Sequence, residues 1–138
     1  MAASDSIEGA IAVVERCFAA LLAQDVDALC ENYTEDYVLE LPYFKPGEPK
    51  IVEGRENVRA YLGSFLGVQQ MDLHLTGTNW IADESLLIAE YFCDGRFLDT
   101  GEAYANRYVG YWYLRGDRVR RLREYYNPQA PRASALDR

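Results

Sequence analysis

The sequence predicts an α+β domain in which three N-terminal helices pack on a curved, mostly antiparallel sheet and leave a concave, partly apolar pocket. Three observations lead there. Apolar residues recur at helical spacing up to about residue 32 and again after Gly54. From about residue 69 the period changes to two, with turn residues between the runs. About half of the 138 residues are apolar, enough for one core without staples.

The elements follow in order. Asp5 with Glu8 is a plausible cap for a first helix, along which Ile7, Ile11, Val14, Phe18, Leu21 and Leu22 form one apolar face. Gln24-Asp25 breaks it, and Asp25 can cap a short second helix running to about Asn32. "YVLELP" reads as a strand ending at Pro42, and "YFKPGEPK" as a loop. Gly54 introduces the third helix, with Val58, Tyr61, Leu62, Phe65 and Leu66 along one side. Four strands are expected near residues 69–79, 85–94, 103–115 and 118–127. Arg115-Gly116-Asp117 is the hairpin turn between the last two. The whole chain, 1–138, reads as a single domain with an ordered core of about 5–128 and a polar C-terminal tail.

Charge and composition exclude several functions. A net charge of −8 argues against nucleic acid and anionic membrane surfaces. No apolar run approaches the length of a membrane span, and the opening residues lead into an amphipathic helix instead of a signal peptide. The three cysteines, Cys17, Cys30 and Cys93, lack CxxC spacing and fit small buried thiols of a cytoplasmic protein. His74 stands alone, so no metal site is expected, and it reads as a sheet residue facing solvent or the helices.

The last strand carries the main functional signal. Its odd positions are Val119, Arg121, Arg123 and Tyr125, and its even positions Arg120, Leu122, Glu124 and Tyr126. Burying the odd set would desolvate two guanidinium groups, each costing several kcal/mol or so unless paired. The even set therefore faces the core, and Glu124 goes with it. Two arrangements remain open for that carboxyl: an internal ion pair with an arginine such as Arg107, or an apolar site that raises its pKa toward working pH for proton transfer. The preceding strand places Tyr104, Asn106, Tyr108 and Trp112 on one parity, where tyrosines can orient a substrate or donate to a developing oxyanion. Eleven tyrosines exceed what a core of this size needs, and many are ordinary sheet residues or part of a dimer face. Glu90, inside the apolar run "LLIAEYFC", is a second carboxylate candidate for the pocket.

The stretches "LPYFKPGEP", "VEGRENVRAYL", "YANRYVGYWYLRGDRV" and "LREYYNP" resemble the SnoaL-like branch of the NTF2-like superfamily over residues 8–128. The nearest likeness is to the phenazine-biosynthesis A/B proteins, and the closing Arg-Glu-aromatic-x-Asn-Pro is its most specific part. The resemblance implies a cone-shaped α+β barrel, a homodimer and one pocket per subunit with no cofactor. It also implies a spread of activities, from ketosteroid isomerases, epoxide hydrolases, polyketide cyclases and condensing proteins to non-catalytic modules. The phenazine proteins' acid/base glutamate is similar in place to Glu124, and their Tyr-x-Asn to Tyr104 and Asn106. Their pocket histidine falls at Tyr61 and a nearby serine at Phe65, which departs from the phenazine pattern. Ketosteroid isomerase residues would fall at Cys17 and Leu41, which do not match. The epoxide-hydrolase Arg and Asp would fall at Tyr91 and Cys93, unless a shift of one residue brings in Asp94.

These readings converge on a cofactor-independent acid/base enzyme acting on a small, hydrophobic, oxygenated molecule of secondary metabolism. The expected reactions are isomerisation, cyclisation, condensation or lyase chemistry. Glu124, Tyr104 and Tyr61 are the expected catalytic residues. Asn106, Tyr43, Tyr91, Glu90, Trp112 and Tyr126 are the expected substrate contacts. A non-catalytic binding or assembly module and a limonene-type epoxide hydrolase are the alternatives.

Overall fold

The computed structural model describes residues 1–44 and 47–128. The tail expected after Pro128 lies outside them, as do Lys45 and Pro46 of the expected loop. Three helices, α1 (Ile7–Leu22), α2 (Val26–Cys30) and α3 (Arg55–Leu66), lie against a seven-stranded sheet. Its strands are β1 (Tyr33–Glu40), β2 (Ile51–Glu53), β3 (Gln69–Gln70), β4 (Leu73–Ile81), β5 (Leu86–Phe97), β6 (Ala103–Arg115) and β7 (Arg118–Tyr126). The sheet order is β2-β1-β7-β6-β5-β3, with β4 also on β5. All pairings are antiparallel except β1 with β7. The fold is therefore α+β, as the change of period predicted, with the sheet curled into a half-barrel.

Ser6, not Asp5, caps α1: its Oγ accepts from the Gly9 N–H at 3.0 Å. Asp5 is taken by a short turn, where its carboxylate accepts from the Ala2 N–H. Asp25 does cap α2, accepting from the Ala28 N–H at 3.0 Å. Val13, Val14, Cys17 and Phe18 of α1 are buried against the sheet. All three cysteines are buried and unpaired.

β1 starts four residues earlier than its apolar run, because Tyr33 and Tyr37 are both buried with rings stacked 3.8 Å apart. The polar Thr34, Glu35 and Asp36 between them hide that start, and a register shift against β7 falls in the same stretch. β2 is only three residues long and lies between the expected loop and Gly54, too short to show a period. The expected strand at 69–79 is two strands, broken at Met71-Asp72. There β5 approaches so closely that a Cβ on Gly95 would collide with the Gln70 carbonyl oxygen.

In β7 the even residues Leu122, Glu124 and Tyr126 face inward as predicted. Val119 breaks the alternation and is fully buried. Tyr113 pairs with Arg121 and Leu114 with Val119, so Arg120 is the extra residue of a bulge and parity changes across it. Gly116 turns the hairpin at φ 61°. Among the described residues no helix is long and apolar enough to cross a membrane.

Candidate active site

Between the helices and the concave face of the sheet lies a cavity of about 520 Å³. Phe18 and Leu21 of α1, Tyr61 and Leu62 of α3, and Tyr104, Tyr108 and Trp112 of β6 contribute to its wall. Leu122, Glu124 and Tyr126 come from β7, and Asn127 and Pro128 close one side. The lining is mostly aromatic and aliphatic, with hydroxyls set into it, the usual character of a small-molecule site.

Glu124 is held by three strands. Its cross-strand neighbour on β6 is Gly110, and Tyr91 of β5 donates its hydroxyl to Glu124 Oε2 in a short hydrogen bond. A Cβ at Gly110 would collide with both the Tyr91 hydroxyl and Trp112 Nε1, so the glycine leaves the niche in which carboxylate, phenol and indole meet. Trp112 Nε1 borders that niche, buried beside the Tyr91 hydroxyl. The accessible part of Glu124 faces the cavity. Among the described residues no cation pairs with it, and Arg107 is exposed on the other face of the sheet. Among the described residues, the internal ion pair with Arg107 or another arginine is therefore not formed. Burial pushes the Glu124 carboxyl up to about 7, opposed by the Tyr91 hydrogen bond, which favours the charged form.

A second hydroxyl cluster sits beside it. Asn106 Nδ2 donates to the Tyr104 hydroxyl at 2.9 Å, and the Tyr104 and Tyr108 hydroxyls are bonded at 3.1 Å. Tyr108 stacks on Tyr91 with ring centroids 5.3 Å apart. Burial is the largest cause raising the pKa of Tyr61, Tyr91, Tyr104, Tyr108 and Tyr126. A negative charge on Glu124 raises each of them further. These phenols stay protonated and can donate but not act as bases. Burial likewise pushes the Cys17 thiol up to about 12 and Cys93 up to about 11, which leaves neither as a nucleophile.

Of the expected site residues, Glu124, Tyr104, Tyr61, Trp112 and Tyr126 all line the cavity. Asn106 and Tyr91 stand behind the wall. Asn106, only 8% exposed, pairs both edges of its amide with the Asn127 backbone, donating to the carbonyl at 2.8 Å and accepting from the N–H at 3.1 Å. It pins the closing segment and does not form the cavity surface. Tyr91 spends its hydroxyl on Glu124. Glu90 is corrected outright: strand alternation turns it outward, exposed, opposite in sense to Tyr91. Tyr43 is also outside, 60% exposed, its ring edge-on to Tyr125 on the convex face. The same alternation turns Asp94 outward, so the shift that an epoxide-hydrolase pair would need does not bring it to the cavity. His74 is exposed beside Asp72, as expected, with Nε2 at 3.1 Å from Oδ1.

Sequence reasoning put Tyr108 on the inward parity without counting it among the site residues, and it missed Gly110, Tyr37 and Glu48. Tyr108 shares the inward parity of Tyr104 and Trp112, so its signal was present. A glycine mid-strand between large aromatics also marks a close approach. Glu48 sits at the cavity wall from within a Pro/Gly loop that has no period to read.

The profile of the SnoaL-like domain family matches residues 14–122, and the chain belongs to that family, an NTF2-like one. It is 31% identical to an uncharacterised PhzA/B-like protein of Pseudomonas aeruginosa over 107 residues, 75% of this chain and 74% of that protein. A crystal structure from Bacillus subtilis, described as a candidate isomerase, superposes with a TM-score of 0.83 at 29% identity and covers 89% of each chain. A candidate polyketide cyclase from Pseudomonas putida shares the fold, with a TM-score of 0.71 at 21% identity over 94% of this chain and 95% of that one.

Proposed function

We propose that this protein is a cofactor-independent acid/base enzyme, an isomerase, cyclase, condensing enzyme or lyase, acting on a hydrophobic oxygenated small molecule. One observation carries the reading: a carboxyl with its pKa raised to about 7, one oxygen fastened by Tyr91 and its accessible surface turned to an aromatic cavity. Near neutral pH such a group is present in both forms and can take a proton from a carbon next to a carbonyl and return it elsewhere. The electrons released move to the carbonyl oxygen. Tyr104, Tyr108, Tyr61 or Tyr126, all neutral donors, stabilise that oxyanion without having to reorganise. Tyr91 and Asn106 act as positioning residues.

The same reading includes one ligand cavity within a cone-shaped barrel in a cytoplasmic homodimer. In that dimer the convex face, where Tyr111 and Tyr125 pack edge to face and Arg123 lies over Tyr111, would be the covered one. A monomeric mass by light scattering at micromolar concentration would count against the dimer alone.

The catalytic proposal is tested with a panel of cyclic ketones and β,γ-enones in deuterated buffer. Wild type should exchange or isomerise at least one substrate, with a rate that rises through about pH 7. Glu124→Gln should lose roughly 10²-fold or more. Equal turnover by both proteins would end the proposal.

A further inference from the structure

Charge is divided across this sheet. Glu124 faces the cavity and Glu48 lines its wall. The arginines that flank Glu124 in β7 turn the other way and are engaged there. Arg121 pairs with Glu40, and Arg123 lies 4.6 Å from the Tyr111 ring centroid. Arg120, displaced by the bulge, lies 5.0 Å from that of Tyr113. The described residues lining the cavity include no lysine, arginine or histidine. Their remaining polar groups are mainly phenols, kept neutral by burial.

An entering carboxylate would give up its hydration, find no cation among the described residues, and meet the two acidic side chains, Glu124 and Glu48, instead. The phenol donors would offset only part of that cost. An uncharged carbonyl or amide oxygen of the same shape meets the same donors and none of the repulsion.

From this layout we infer that the cavity admits uncharged oxygenated ligands and rejects their carboxylate counterparts. The inference rests on the cavity being the ligand site, not on catalysis, so a binding assay judges it separately from turnover.

Two probes of matched shape serve, 2-naphthamide and 2-naphthoate, each titrated against the whole protein by tryptophan fluorescence and calorimetry. At pH 8 the amide should bind at least tenfold tighter, about 1.4 kcal/mol. The ratio should shrink several-fold at pH 5.5, where Glu124 is neutral. It should also shrink in Glu48→Gln, an exposed position where folding is not at risk, and in Glu124→Gln. The inference is overturned if naphthoate binds as tightly as the amide at pH 8. A ratio unchanged by pH and by both substitutions overturns it equally. So does failure of both probes to bind up to millimolar concentration. Loss of turnover in Glu124→Gln with an unchanged binding ratio would uphold the catalytic proposal and sink this one.

Discussion

Replacing Glu124 by glutamine removes a charge from the cavity wall while leaving a carbonyl to accept the Tyr91 hydrogen bond. The stability effect follows from linkage. The carboxyl's pKa is 4.5 when free and about 7 in the folded protein. Below about 4.5 both states are protonated and the residue costs nothing. Between about 4.5 and 7 the unfolded chain releases the proton first, so stability falls with rising pH. Above about 7 the loss is complete. Over that interval, at 1.36 kcal/mol per pH unit, the loss comes to about 3 kcal/mol. For a chain of this length that is roughly 10 °C in Tm. Glu124→Gln should therefore match wild type near pH 4.5 and exceed it by roughly 10 °C at pH 8, in calorimetric scans at constant ionic strength. A glutamine variant less stable than wild type at pH 8, or a difference that does not change with pH, would refute the reasoning. Either would point to a compensating cation near the carboxylate.

Other perturbations probe the niche and its closure. Tyr91→Phe removes the donor that favours ionised Glu124, a charge-assisted bond of about 1.5–3 kcal/mol. The pH midpoint of turnover should rise by about one unit or more, and a midpoint that stays or falls would contradict that role. Gly110→Ala places a methyl against Tyr91 and Trp112 and should destabilise by about 1–3 kcal/mol in chemical denaturation. Gly63→Ala, on an open stretch of α3 with nothing within 4 Å of its Cβ, should instead stabilise by about 0.5–1 kcal/mol. Asn106→Ala cuts the ties to Tyr104 and Asn127 and should raise KM more than it lowers kcat, because the closing segment loosens while Glu124 stays in place. A fall in kcat alone would place Asn106 in the chemistry instead.

Most of the fold was legible because its longer elements have clean periods. The inward face of β6, with Tyr104, Asn106, Tyr108 and Trp112, can be read from alternation alone. Glu124 could be placed inside because burying Arg121 and Arg123 was the worse choice. What stayed hidden was set by irregular backbone. The bulge at Arg120 buries Val119 against its parity, and the early start of β1 rests on one stacked pair, Tyr33 and Tyr37. The site was legible in part for a related reason. Parity tells which face a residue takes, so Tyr104 and Trp112 were found. It does not tell which inward side chain reaches the cavity surface and which supports it from behind, as Tyr91 and Asn106 do. Tyr43 and Glu90 were misplaced because an aromatic at a loop mouth and an acid in an apolar run resemble site residues. The chain direction after Pro42 and the alternation of β5 turn them outward.

In the proposed mechanism Glu124, with no cation beside it among the described residues, is the carboxyl that transfers the proton. The most direct measurement is its own titration, by carbon NMR of glutamate side-chain carboxyls in labelled protein, with the resonance identified by its absence in Glu124→Gln. The expected midpoint is near 7. A midpoint at or below 4.5 would mean that the carboxylate is stabilised in the fold and that the acid/base mechanism is wrong.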